Sequence, residues 1–219
     1  MTNRIPSYLE YLKTVAITTA GSGYTSPVTL LIDAPTGDNP IQATATATID
    51  FAGSGDITAI TITEGGDGYS LTPSIKVAGG ATTVTSTTTN TGLDAGTYTG
   101  VSPTSTSGVG EFGTFNIVID GNGDVTSITP VANGSNYVQD DTISFLPTAL
   151  GGVGSELTVT GRITHINGGQ GGTLTAEIDI IAKADVYSQP TISKLVGHQL
   201  PEFIRDDHPL FQTFIEKYF

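Results

Sequence analysis

The chain has 219 residues, with 8 Lys and Arg against 21 Asp and Glu and a formal net charge of −13, a balance that excludes a phosphate-tracking nucleic-acid binder. It contains no Cys, which rules out disulfide scaffolds, thiolate zinc sites and cysteine nucleophiles. Only 13% of residues are charged and 28 are Gly, while Val, Ile and Thr recur in short alternating runs; the expectation is a mainly β protein of tandem small Gly/Thr-rich, sandwich-like sheet units with short helices at its two termini.

Residues 1–13 read as a short N-terminal helix. They hold no apolar stretch of signal-peptide length, and no later segment approaches 18 consecutive apolar residues, so no membrane insertion is expected. A first β unit is placed at 14–90. Val15-Ala-Ile-Thr-Thr19 runs into Gly21-Ser-Gly-Tyr24, and Ile57-Thr-Ala-Ile-Thr-Ile62 runs into Gly66-Asp-Gly-Tyr69. A second unit, at 91–190, repeats the pattern with Val125-Thr-Ser-Ile-Thr129 and Gly134-Ser-Asn-Tyr137. Each repeat is an alternating strand, a Gly-rich turn, a Tyr and a short apolar strand, the last being Val28–Ile32, Ile75–Val77 and Ile143–Phe145. The turn residues tolerate the positive φ that a sharp reversal needs. The three Tyr rings are expected to pack over a sheet end with their hydroxyls satisfied at the rim; the other role open to them is a ligand platform.

Alternating strands are also expected at Ala43–Ile49, Phe115–Ile119, Leu157–Thr160 and Leu174–Ile180. Asn122-Gly123 predicts a hairpin closed by a primed turn, with φ > 0 at both residues. Ala81–Thr91 is dominated by Thr and reads as an extended connector, whereas Thr97–Val101 opens the second unit.

Residues suited to chemistry are sparse. None of His165, His198 and His208 lies at metal-site spacing from another potential ligand, and no nucleophile elbow, zinc-binding His-Glu-x-x-His pair or phosphate loop occurs. Asp120-Gly-Asn-Gly-Asp124 spaces oxygen ligands as a calcium loop does but lacks the distal Glu, and a hairpin explains the same residues. Asp140-Asp141 and Asp206-Asp207 are adjacent pairs with nothing to make two carboxylates converge as a glycosidase requires. No catalytic residue, cofactor or metal is therefore assigned.

Composition changes near Pro190, and 191–219 reads as a helical docking segment. Pro201 suits the first turn of one helix, and Pro209 starts a second. Leu210, Phe211, Phe214, Ile215 and Tyr218 fall on one stripe of the second helix, with Phe203 and Phe219 adding to the apolar surface. These seven residues are the candidate partner-binding set. The absence of a Gly or Asn cap at Phe219 suggests a helix that continues into a further domain.

Ile17–Pro27, together with Gly96-Thr-Tyr-Thr-Gly-Val101, Gly123–Thr129 and Gly134-Ser-Asn-Tyr137, resembles the Gly-rich β repeats of tailed-phage virion proteins. Leu200-Pro-Glu-Phe-Ile-Arg205 and Pro209–Tyr218 are similar to a helical motif in large structural proteins of marine contractile-tailed phages. The resemblance implies a non-enzymatic component of the tail, baseplate or fibre-attachment apparatus, localised to the virion. Its β body would be spacer or decoration, its partners other virion subunits, and it would assemble as a homo-oligomer. The alternative is a receptor- or carbohydrate-binding module whose Tyr and Asp turn tips meet a host surface glycan.

Overall fold

The structure, a computed structural model, describes residues 8–37, 39–88, 91–152 and 158–182. In chain order the strands are β1 (Tyr8–Ser22), β2 (Thr29–Ile32), β3 (Thr44–Ile49), β4 (Ile57–Glu64), β5 (Ile75–Gly79), β6 (Ala81–Ser86), β7 (Gly96–Val101), β8 (Ser105–Thr106), β9 (Glu111–Ile119), β10 (Val125–Ser135), β11 (Tyr137–Val138), β12 (Thr142–Phe145), β13 (Val159–Ile166) and β14 (Gln170–Ala182). A 3-10 turn, Pro147–Leu150, is the only helical element among the described residues. The protein is mainly β, as its composition predicts.

The described residues form four sheets. Seven strands line up as β7-β9-β10-β6-β13-β12-β8, three as β11-β5-β2, and β3-β4 and β1-β14 form pairs. Residues Tyr11–Ile178 make one compact unit; Met1–Glu10 and Asp179–Phe219 belong to another. Three readings of the sequence change. Tyr8–Lys13 is strand rather than helix, because Leu12 is fully buried and its N–H bonds the carbonyl of Gly65. Ala81–Ser86 is the central strand of the large sheet rather than a connector: Val84 lies opposite both Ile128 and Ile163. Strands from both sides of residue 90 thus share that sheet. The tail expected at 191–219, with Phe203, Leu210, Phe211, Phe214, Ile215, Tyr218 and Phe219, lies outside the described residues, as do residues 1–7.

Period-2 patterning builds the core. Phe115, Ile117 and Ile119 of β9 all point inward and meet Ile128, Ile143, Phe145, Val159 and Ile163. The Phe115 and Phe145 rings meet edge to face, 5.6 Å between centroids. At Gly161 a Cβ would come within 2.6 Å of Val84, so the missing side chain lets that Val reach the core. Along β3, Thr faces out while Ala45, Ala47 and Ile49 face in, the thin, small-residue packing that the Thr/Ala alternation predicts.

Candidate functional site: three glycine–tyrosine clasps

The three Gly-x-x-Tyr repeats fold into one geometry. Gly21, Gly66 and Gly134 have φ of 68°, 70° and 64°, and the residues two further on, Gly23, Gly68 and Asn136, have φ of 78°, 82° and 59°. Two left-handed residues in three reverse the chain and return the Tyr ring over the first glycine. A Cβ at any of the three first glycines would lie 2.9 Å from the ring of its own Tyr. Each glycine also presses on a short segment in or just before a neighbouring strand: Gly21 on Gln170–Gly172, Gly66 on Ile41–Ala43, and Gly134 on Glu111–Gly113. The same two backbone groups are met each time, the carbonyl of the segment's first residue and the N–H of its third.

The Tyr hydroxyls complete the contact. Tyr69 Oη accepts the Ala43 N–H at 2.9 Å and Gln42 Nε2 at 3.2 Å. Tyr24 Oη accepts the Gly172 N–H at 3.2 Å, and the Tyr137 hydroxyl accepts the N–H of Gly113. Burial pushes the Tyr24 phenol above its ordinary value, partly offset by the Gly172 bond. The Tyr137 phenol is raised by burial as well, with the charges of Asp141 and Glu111 adding to the effect and the Gly113 bond opposing it. All three rings are 1–2% exposed. They are packing elements, and the ligand-platform role for them is overturned.

Each clasp sits at the open end of a strand pair. For β3-β4 the pair is a hairpin whose tip is the loop 50–56; for β9-β10 the tip is 120–124. In β1-β14 there is no tip, because β1 and β14 stand at opposite ends of the compact unit's sequence. Thr18–Thr175 hydroxyls at 2.6 Å and Thr14–Glu177 at 3.0 Å show the two strands running antiparallel. Lys13 adds an exposed ion pair with Glu177, and Ile17, Leu174, Ala176 and Ile178 turn toward the core clusters.

No known family model, curated protein or solved structure matches this chain.

The acidic candidates are committed to their own turns. Asp120 Oδ1 accepts the N–H groups of Asn122 at 2.8 Å and Asp124 at 3.0 Å, and these bonds hold its carboxyl below the ordinary range. Gly123 N–H closes the turn on the Asp120 carbonyl and only Gly123, with φ of 80°, is left-handed. The hairpin is there, but it is an ordinary turn followed by a left-handed Gly rather than the primed turn expected from Asn122-Gly123. The primed turn occurs at Asn167-Gly168, with φ of 48° and 85° and reciprocal bonds between Ile166 and Gly169. Asp140 pairs with Arg162 at the surface, Nε to Oδ1 at 2.9 Å, and the Asp141 carboxylate accepts the Val138 N–H at 2.9 Å, so these neighbours diverge. His165 Nδ1 meets only the adjacent Thr164 hydroxyl among the contacts described. Among the described residues no group of three His, Asp or Glu is placed to hold a metal, and no helix is long and apolar enough to cross a membrane. His198, His208, Asp206 and Asp207 lie outside the described residues.

Two open grooves flank β5. One, of about 750 Å³, runs between β2 and β3; the other, of about 570 Å³, lies between β5 and the start of β14. Lys76, Val138 and Asp141 border both. The carboxylates they contain bond backbone or Arg162, and the Lys76 side chain is exposed.

Proposed function

We propose that the protein is a non-enzymatic structural component of a phage virion, in the tail, baseplate or fibre-attachment apparatus. The β body acts as spacer or decoration, and the 191–219 segment docks onto a neighbouring subunit. One observation carries this reading: the β1-β14 pair lacks a hairpin tip, so the body's two chain ends leave side by side where the other pairs close in a loop. In a module so connected the clasps supply the rigidity. The sequence stripe of Leu210, Phe211, Phe214, Ile215 and Tyr218 supplies the anchor; burying four such side chains contributes on the order of 6–12 kcal/mol before entropy is charged against it.

The test is incorporation into particles. Replacing Phe211 and Phe214 with Ser should remove the protein from purified virions while the body's β-type circular dichroism and melting transition stay as in the native chain. Normal incorporation of the double variant contradicts docking through this stripe, and failure of the native protein to co-purify with particles contradicts the reading as a whole.

A further inference from the structure

The three strand pairs are equivalent in geometry and unequal in connectivity. In the second and third, the segment that offers its N–H to the Tyr hydroxyl, at the start of β3 or within β9, precedes the clasp strand of the same hairpin, β4 or β10. In the first, the donor is β14, reached only after the rest of the body: Gly172 and Tyr24 are 148 residues apart. Joining the end of β14 to the start of β1 would turn the first pair into a third regular hairpin.

We propose that β14 is an exchangeable closing strand, and that β14 of one copy completes the β1 clasp of a second copy of this chain. The interaction surface is the inner edge of β1 with Gly21–Tyr24; the partner it fits is Gln170–Ile178 of another molecule. Three observations argue for exchange. The β1-β14 pair is a sheet of its own, not hydrogen-bonded into the seven-stranded sheet. Its cross-strand polar contacts, Thr14–Glu177 and Thr18–Thr175, are exposed and are remade unchanged when the strand comes from elsewhere. The hinge is the two-residue turn Asn167-Gly168, and so short a connection favours exchange.

What opposes exchange is equally specific. Asn167 bonds Gly80 through its N–H at 2.9 Å and its Oδ1 at 2.7 Å, donates from Nδ2 to the Pro27 carbonyl at 2.5 Å, and receives the Thr25 N–H at 2.8 Å. These four bonds act in the closed monomer, so Asn167 sets the balance between closure within one chain and closure between two.

The chain has no Cys, which makes the test direct. Thr18→Cys and Thr175→Cys chains are mixed, unfolded, refolded together at low and high concentration, and oxidised. The expected product is a covalent dimer joined 18 to 175 between chains, in a fraction that rises with concentration. The T18C/T175C double variant, refolded dilute, should close within itself and so report that the substitutions fold. Asn167→Ala introduced into both single variants should raise the 18–175 dimer several-fold. Absence of an 18–175 link between chains while the double variant closes internally overturns the proposal; so does a dimer joined only 18 to 18 or 175 to 175, or a linked fraction that Asn167→Ala leaves unchanged.

Discussion

The second clasp and the first make the same contacts from opposite kinds of sequence neighbourhood. Tyr69 is closed by Ile41–Ala43, its own hairpin mate, with two donors on the hydroxyl. Tyr24 is closed by Gln170–Gly172 from the far end of the body, with one donor at the longer distance of 3.2 Å. A local clasp folds with its hairpin, whereas the distant one must wait until the chain between is ordered, since loop closure costs entropy before any contact forms. The first pair is therefore expected to be the last formed and the first to open.

The largest effect should come from adding a methyl group where a clasp leaves no room. Gly134→Ala meets the Glu111 carbonyl, the Gly113 N–H and the Tyr137 ring at once, on a backbone with φ of 64°. Conformation and collision together should cost about 3 kcal/mol or more. Gly100→Ala separates the two terms: φ is 65° but nothing lies within 4 Å of the new methyl, so the loss should be only about 1 kcal/mol. Equal losses in denaturant titrations of the two variants contradict the clasp.

Next in size is the hydroxyl. Tyr69→Phe strands the Ala43 N–H in a buried site and should cost about 1–3 kcal/mol. Tyr24→Phe should cost less, because its single bond is longer. The reverse order, measured by thermal melting, breaks the comparison between the two clasps.

A pH dependence sharpens it further. The Tyr24 and Tyr137 phenols are raised above the ordinary phenol value in the folded state. Their neutral forms contribute stability that is fully present below pH 10 and is lost as pH rises through the folded values. The melting temperature should be flat from neutral pH to about pH 10 and fall beyond it, given an unperturbed Tyr near 10; the Tyr24→Phe, Tyr137→Phe double variant should start lower and fall less. The smallest effect belongs to the tip of the β9-β10 hairpin. The Asp120 carboxyl is lowered by the Asp124 and Asn122 N–H groups, so its contribution is present above its ordinary value and lost as pH falls through the folded one. Asp120→Asn, which offers the same N–H groups an uncharged oxygen, should lower the neutral melting temperature slightly and remove that acid-side loss.

The clasps were half legible in the sequence. Gly21-Ser-Gly-Tyr24, Gly66-Asp-Gly-Tyr69 and Gly134-Ser-Asn-Tyr137 announce themselves, because left-handed backbone restricts residue choice and the Tyr spacing is fixed. Their partners do not: Ile41-Gln-Ala43, Glu111-Phe-Gly113 and Gln170-Gly-Gly172 are recognised through backbone groups that every residue carries, so no side-chain pattern marks them. Phe112 is a case in point. It takes φ of 60° while 78% exposed, where the equivalent residue of the first clasp is Gly171 at 79°. The pairing of β1 with β14 was invisible for the same reason, and Tyr8–Lys13 was misread as helix because the carbonyl that receives the Leu12 N–H belongs to Gly65, beyond any local window. Asn167-Gly168 and Asn122-Gly123 are identical dipeptides; the Asp120 carboxylate, by collecting two N–H groups, selects a different turn for the second.

Amide hydrogen exchange at Ala43, Gly113 and Gly172 tests the threefold clasp most directly. Each N–H should be protected in the native protein, and each should lose that protection selectively when Tyr69, Tyr137 or Tyr24, respectively, is replaced by Phe, with Gly172 the least protected of the three. Exchange at unfolded-chain rates in the native protein, or protection indifferent to the matching Tyr, contradicts the account.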